Sequence, residues 1–300
     1  MNPTAPATPP DVPGAQHRTV SIATADAGTL DLHVLEAGDP AAPPVLLLHG
    51  WPQHAWCWRH VIPRLAGDYR LIAPDLRGFG WSDCPAGGYD PLTFAADAAA
   101  LLDALEIERA HVIGHDWGGG AAFALALSAP ERVDRMVILN TVAPWVEPSP
   151  QLLAGAWRSW YAVLMAAVGD RVVRSRPELL ARAIRGDAVH REGMTEDDAM
   201  AYALRLGEPA RARATKLLYR TYLRAMVGRA PGSDLTERRL TQPTRFLFGA
   251  NDGAISPHVL KGIEAHGDDF VLEMVPDSGH FICEEKPELV ADRARELFSG

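Results

Sequence analysis

Three side chains on three separate loops carry the chemistry this chain could do: Asp116, Asp252 and His280. Asp116 lies in Gly114-His115-Asp116-Trp117-Gly118-Gly119, between an apolar run, Ala110 to Ile113, and an alanine-rich run, Gly119 to Ala129. That reads as strand, sharp turn, helix. The spacing is that of the G-x-S-x-G nucleophile elbow, with aspartate where serine is usual. Asp252 follows a strand-like run in Phe248-Gly249-Ala250-Asn251-Asp252-Gly253, and His280 follows another in Asp277-Ser278-Gly279-His280-Phe281. A glycine beside each allows a tight turn that exposes the side chain. Taken singly, Asp252 reads as a turn residue and His280 as a satisfied surface histidine. Taken in order, they read as nucleophile, acid and base.

The identity of the nucleophile narrows the reaction. A serine hydroxyl needs a base to remove its proton before it attacks a carbonyl. A carboxylate, with an unperturbed pKa of about 3.9, is already charged at neutral pH. It attacks esters poorly and suits displacement at a saturated carbon bearing a leaving group, which leaves an alkyl ester on Asp116. His280, oriented by Asp252, would then activate water against that ester. Two backbone N–H groups, of Trp117 and Trp51, are expected to hold the resulting oxyanion. Trp51 stands in His49-Gly50-Trp51-Pro52, where His49 and Gly50 shape the loop. Trp51, Trp117 and His49 are placed around the substrate, the two tryptophans as pocket lining rather than ordinary core aromatics.

The elements that must position these groups follow from periodicity. Arg18 to Thr24 and Thr29 to Glu36 read as a hairpin through Asp26-Ala27-Gly28. Val45-Leu46-Leu47-Leu48 is a short apolar run of the kind buried on both faces of a parallel sheet. A helix over Ala55 to Ala66, a strand over Arg70 to Ala73, a helix over Leu92 to Leu105, the elbow strand and helix, and a strand over Val133 to Asn140 complete a βα alternation. From Pro144 the texture becomes Arg-, Ala- and Leu-rich at helical spacing, with helices over Pro150 to Val168, Arg176 to Arg185, Thr195 to Leu206 and Glu208 to Val227. Strands resume at Thr244 to Phe248 and Phe270 to Val275, before a last helix over Pro287 to Phe298. The expected class is α/β: a mostly parallel sheet with helices on both faces. A helical cap, 145–235, is inserted in a core of 18–144 and 236–300, after a disordered tail, 1–17.

Composition excludes several classes. A net charge of −9 argues against a nucleic-acid footprint. The three cysteines, Cys57, Cys84 and Cys283, are scattered and lack metal-ligand spacing, so neither a disulfide framework nor a metal site is expected. The tail has no basic cluster or apolar core of a signal peptide, and no apolar run approaches the roughly 18–20 residues of a membrane span. A cytoplasmic enzyme without cofactor is expected. Monomer and homodimer remain open.

With these motifs the chain resembles the aspartate-nucleophile branch of the α/β-hydrolase superfamily, the epoxide hydrolases and haloalkane dehalogenases, from Arg18 to Gly300. The resemblance implies the α/β-hydrolase fold and a small apolar epoxide or haloalkane as substrate. For epoxide hydrolases it also implies two cap tyrosines, protonated at neutral pH, that meet the leaving oxygen. Tyr161 lies where the first is expected, and Tyr219 resembles the second. Tyr222, one turn on, shares that face and stays open. Tyr202 is the fourth cap tyrosine. A haloalkane dehalogenase would cradle halide between the Trp117 indole and an Asn or second Trp. Typically Asn follows His-Gly in that family, whereas here it is Trp51, as in epoxide hydrolases. Asn140 occupies a place where some dehalogenases keep their acid, and an amide cannot serve. Epoxide opening is the favoured expectation, dehalogenation the alternative, and a non-catalytic ligand-binding protein a third. The cap arginines read as a solvated face or as contacts for an anionic substituent.

Overall fold

The computed structural model describes residues 8–146, 160–227 and 233–300. Eight strands form one sheet: β1 (Ala15–Thr24), β2 (Gly28–Ala37), β3 (Pro44–Leu48), β4 (Arg70–Pro74), β5 (Ala110–His115), β6 (Val133–Leu139), β7 (Thr244–Gly249) and β8 (Phe270–Val275). Their spatial order is β1-β2-β4-β3-β5-β6-β7-β8. The β1/β2 hairpin and the β2/β4 pair are antiparallel, and every later pairing is parallel. This is the α/β-hydrolase fold. Val45 to Leu48 are fully buried, as a strand covered on both faces requires, and each such side chain contributes about 2 kcal/mol of burial.

Two expectations are corrected. Ordered structure starts before residue 18: β1 begins at Ala15, paired with Ala37, and Val12 is buried in the core. The apolar contact of Val12 and the strand pairing outweigh the disorder expected from composition. The helix expected over Ala55 to Ala66 is instead a 3-10 turn, Ala55–Trp58, followed by a short helix, Ile62–Leu65. Pro63 has no N–H for a continuous helical ladder, and burial of Cys57, Trp58, Val61 and Ile62 sets the path of the chain.

Between β6 and β7 lies the inserted helical segment, called the cap below. Its described helices are Trp160–Ser175, Pro177–Gly186, Glu196–Leu206 and Pro209–Val227. The first half of the expected Pro150 to Val168 helix lies largely outside the described residues. Thr195 caps its helix in a reciprocal box with Asp198. The cap is fastened to the core by buried polar groups. Arg59 pairs with Glu284, donates to the Tyr202 hydroxyl at 3.1 Å and to Gly193 O at 3.0 Å, and reaches Asp198 Oδ2 at 3.1 Å. Tyr202 donates to Glu284 Oε1 at 2.6 Å. Burial pushes the Glu284 carboxyl up to about 7 against the pull of Arg59. Tyr202 is thereby occupied away from the elbow. Arg205 and Arg211 both donate to Gly80 O, the former at 2.7 Å. These two cap arginines therefore serve packing, rather than a solvated face or an anionic substituent.

Among the described residues no helix is long and apolar enough to cross a membrane.

Candidate active site

Asp116 follows β5 and precedes the helix Trp117–Ser128 with φ 50° and ψ −119°, a conformation that costs about 1–3 kcal/mol for a non-glycine residue. Backbone and side-chain bonds hold it there. Asp116 N donates to Leu139 O at 3.2 Å, Gly120 N donates to Asp116 O at 3.0 Å, and Thr141 Oγ1 donates to the same oxygen at 2.6 Å. The helix starts so close to β3 that a Cβ on Gly118 would lie 2.2 Å from Leu48 O. Thus glycine is needed at 118 for close approach, while Asp116 itself takes the positive φ.

The Asp116 carboxylate meets the loop after β3. Trp51 N donates to Asp116 Oδ1 at 2.9 Å, and the Trp117 N–H beside it also favours the charged carboxylate. Those donors suit either a carboxylate oxygen or the oxyanion that replaces it. A Cβ on Gly50 would lie 2.3 Å from Asp116 Oδ1, so the loop can approach only with glycine there. Enclosure pushes the Asp116 carboxyl up to about 6, with His280 and the two N–H groups opposing the rise. At neutral pH it is largely ionised.

On the other side, His280 Nε2 lies 3.7 Å from Asp116 Oδ2, and His280 Nδ1 lies 2.9 Å from Asp252 Oδ2. Asp252 is held from four directions. Its Oδ1 accepts the Ala254 and Ile255 N–H groups at 2.8 Å each, and its Oδ2 also accepts Asn140 Nδ2 at 2.7 Å. Burial opposes its charge, but His280 and Asn140 outweigh that and hold the carboxyl below its ordinary range. For His280, burial disfavours the imidazolium, yet Asp252, Asp116 and Asp187 together raise its pKa to about 10. In the resting site, Asp116 is negative and His280 positive.

The three residues inferred from loop order thus lie together, as do both tryptophans. Trp51, Trp117, Tyr161, Tyr219 and Tyr222 form one aromatic cluster, joined to Asp116 through the Trp51 N–H. Tyr219 meets Trp51 edge-on at 5.2 Å between centroids, Trp117 at 6.4 Å and Tyr161 at 5.9 Å. Tyr222 meets Trp117 at 6.0 Å. Burial first, and the nearby Asp116 charge as well, hold the Tyr161 and Tyr219 phenols well above the ordinary tyrosine range. Both therefore stay protonated. The Trp51 indole N–H is directed to Thr215 Oγ1 of the cap at 3.3 Å.

His49 is a correction. It is fully buried, its Nε2 accepts the Leu76 N–H at 2.9 Å, and its Nδ1 bonds Gly50 O at 3.0 Å. With both ring nitrogens occupied, it supports the Trp51 loop and has no nitrogen for substrate.

Several supporting groups carry no motif of their own. Asp75, fully buried, accepts His33 Nδ1, Ala55 N and Trp81 N, each at 2.7 Å, and so ties the loop after β4 to that after β3. Asn140, read as an amide in the place of an acid, instead braces Asp252; its position at a strand end was the available signal. Asp187, in the cap, had none. One ligand atom each from Asp187, Asp252 and His280 lies within 4.8 Å of the others, a reach compatible with a metal ion. The Asp252–His280 hydrogen bond already uses two of those donors, which fits an acid–base pair better than a metal centre.

Comparison with known proteins finds two chemistries on this frame. A family model described as alpha/beta hydrolase fold matches residues 43–287. A soluble epoxide hydrolase of Corynebacterium sp. (strain C12) is 32% identical over 286 residues, covering 89% of this chain and 93% of that protein. Haloalkane dehalogenase 2 of Mycobacterium bovis is 29% identical over 275 residues, covering 89% and 91%. The solved structure of epoxide hydrolase CorEH without ligand has a TM-score of 0.75 at 29% identity, covering 95% of this chain and 99% of that one.

Proposed function

The chain belongs to the alpha/beta hydrolase fold family, and from that premise we propose that it opens small apolar epoxides to vicinal diols through an alkyl ester on Asp116. The observation that carries this reading is an ionised Asp116 whose charge is felt by two protonated cap phenols, Tyr161 and Tyr219, that meet ring to ring.

Asp116 Oδ1 is bound by the Trp51 N–H, which leaves Oδ2 as the attacking oxygen. Attack on a ring carbon forms the C–O ester bond and breaks the C–O bond of the epoxide. The departing alkoxide is far more basic than a phenolate and takes a proton from Tyr161 or Tyr219. The phenolate is neutralised by the proton that His280 carries in the resting site. Esterification removes the negative charge of Asp116, so His280 loses part of the field that kept it protonated and becomes a base. Neutral His280, oriented by Asp252, takes a proton from water as that water attacks the ester carbonyl. The oxyanion sits on the Trp51 and Trp117 N–H groups. Collapse expels the diol as an alkoxide, which takes the proton that water left on the new Asp116 carboxyl. Asp116 returns to a carboxylate and His280 stays protonated, so protons balance over the cycle.

Dehalogenation would use the same nucleophile but needs two N–H donors for the halide. Trp117 could supply one. The Trp51 indole, bonded to Thr215, is poorly placed to be the second.

A paired assay separates the two: diol from styrene oxide against halide from short bromoalkanes. Diol release from the epoxide is expected, with the Tyr161→Phe and Tyr219→Phe variants each slower by about 100-fold in ester formation. Halide release that survives both substitutions, without diol formation, would transfer the assignment to dehalogenation. If Tyr222→Phe alone impairs ring opening, Tyr222 replaces Tyr219 as the second donor.

A further inference from the structure

Asp187 follows the cap helix Pro177–Gly186 and reaches both catalytic loops. Its Oδ1 accepts the N–H of Gly253, the residue after the acid, at 2.8 Å, and its carbonyl oxygen accepts the His280 N–H at 3.4 Å. The next residues extend the seam. Val189 N and His190 N donate to Glu285 Oε2 at 2.7 and 3.1 Å, and Glu285 Oε1 accepts the Gly279 N–H at 3.0 Å.

The glycines beside Asp252 and His280 fit this approach better than the tight turns expected of them. Neither Gly253 nor Gly279 has a positive φ. A Cβ on Gly253 would lie 2.2 Å from Asp187 Oδ1, and one on Gly279 would lie 2.0 Å from Asp187 O. Both positions are kept small where Asp187 enters. A backbone N–H needs only an oxygen to accept it, and a neutral side chain would serve. The carboxylate therefore calls for a further role, and it stands within 4.8 Å of His280 and Asp252.

We propose that Asp187 is a positioning residue for ester hydrolysis, a cap-borne negative charge that supports His280 after Asp116 has lost its own. This rests on the two-step reading above. Four groups face His280: Asp252 at Nδ1, Asp116 at Nε2, Asp187 from the cap, and the His115 ring at 5.0 Å. Burial keeps His115 neutral at ordinary pH, with a pKa lowered to about 3. Esterification silences Asp116 and leaves Asp252 and Asp187. Burial, with Asp252 and the neighbouring Glu285 adding to it, pushes the Asp187 carboxyl up to about 6, so its charge is present above that pH. A negative charge there favours imidazolium, which raises the pH at which His280 becomes free base and makes that base stronger.

Asp187→Asn keeps an oxygen for the Gly253 N–H and removes the charge. With styrene oxide, rapid-quench intact-mass measurements from about pH 5 to about pH 9 follow ester formation and ester decay separately. In the variant, the acid-side inflection of ester decay is expected to move down by at least about 1 pH unit, with ester formation within about threefold of wild type. An inflection unmoved while ester still forms and decays would overturn the role of Asp187 and leave the Asp116 route standing. Failure of wild type and variant alike to form any ester would overturn the two-step reading and this assignment with it.

Discussion

Asp116→Ala is expected to lower turnover by at least about 10⁴-fold while the protein remains folded. The substitution removes both carboxylate oxygens, Oδ1 on the Trp51 N–H and Oδ2 facing His280 Nε2, and alanine offers nothing in their place. The fold does not depend on that carboxylate. The elbow is fixed by the main-chain bonds of residue 116 and by Thr141, all of which alanine keeps. The comparison to make is initial rate against far-ultraviolet circular dichroism and melting temperature on the same preparation. Activity above about a thousandth of wild type, with the fold intact, would remove Asp116 from the reaction. The same group sets an acid limb in wild type. Its pKa is raised to about 6, so ester formation should fall as pH drops through that value and the nucleophile becomes protonated.

The second large effect concerns His280→Gln. This variant is expected to form the ester and then release it at least about 10³-fold more slowly, because no imidazole remains to take the proton from water. The protein should therefore gain the mass of one substrate molecule, and digestion should place that gain on the peptide containing Asp116. Loss of the imidazolium also removes one favourable charge from beside Asp116, so some slowing of the first step is expected as well. Turnover abolished without any mass gain would show that His280 acts in forming the ester rather than in breaking it.

Most of this arrangement was legible in the chain because its central elements are local. Val45 to Leu48 is too short and too uniformly apolar to be a surface strand, and Ala110 to Ile113 carries a single polar residue, His111. The elbow carries its own glycine spacing, and Asp252 and His280 each follow a strand directly. The cap tyrosines entered through resemblance to a family, and the structure brings Tyr161, Tyr219 and Tyr222 into one ring cluster with Trp51 and Trp117. What escaped depends on contacts between distant segments. Asp187 looks like any acidic residue after a helix until the cap is packed against Gly253 and Gly279. His49 stands beside the oxyanion loop in sequence, but its two nitrogens turn to Leu76 and Gly50. Asp75 and His33 meet only when β2 and β4 pair. Ala55 to Ala66 has an apolar spacing compatible with one helix, but Pro63 breaks the hydrogen-bond ladder.

The most direct test of the covalent route is a single turnover with enzyme in excess over styrene oxide in water carrying heavy oxygen. If Asp116 is alkylated and the ester is cleaved at its carbonyl, the diol takes its new oxygen from Asp116, and heavy oxygen appears in the Asp116 peptide. Heavy oxygen in the diol with none in that peptide would mean that water attacks the epoxide directly, and the ester on Asp116 would have no place in the reaction.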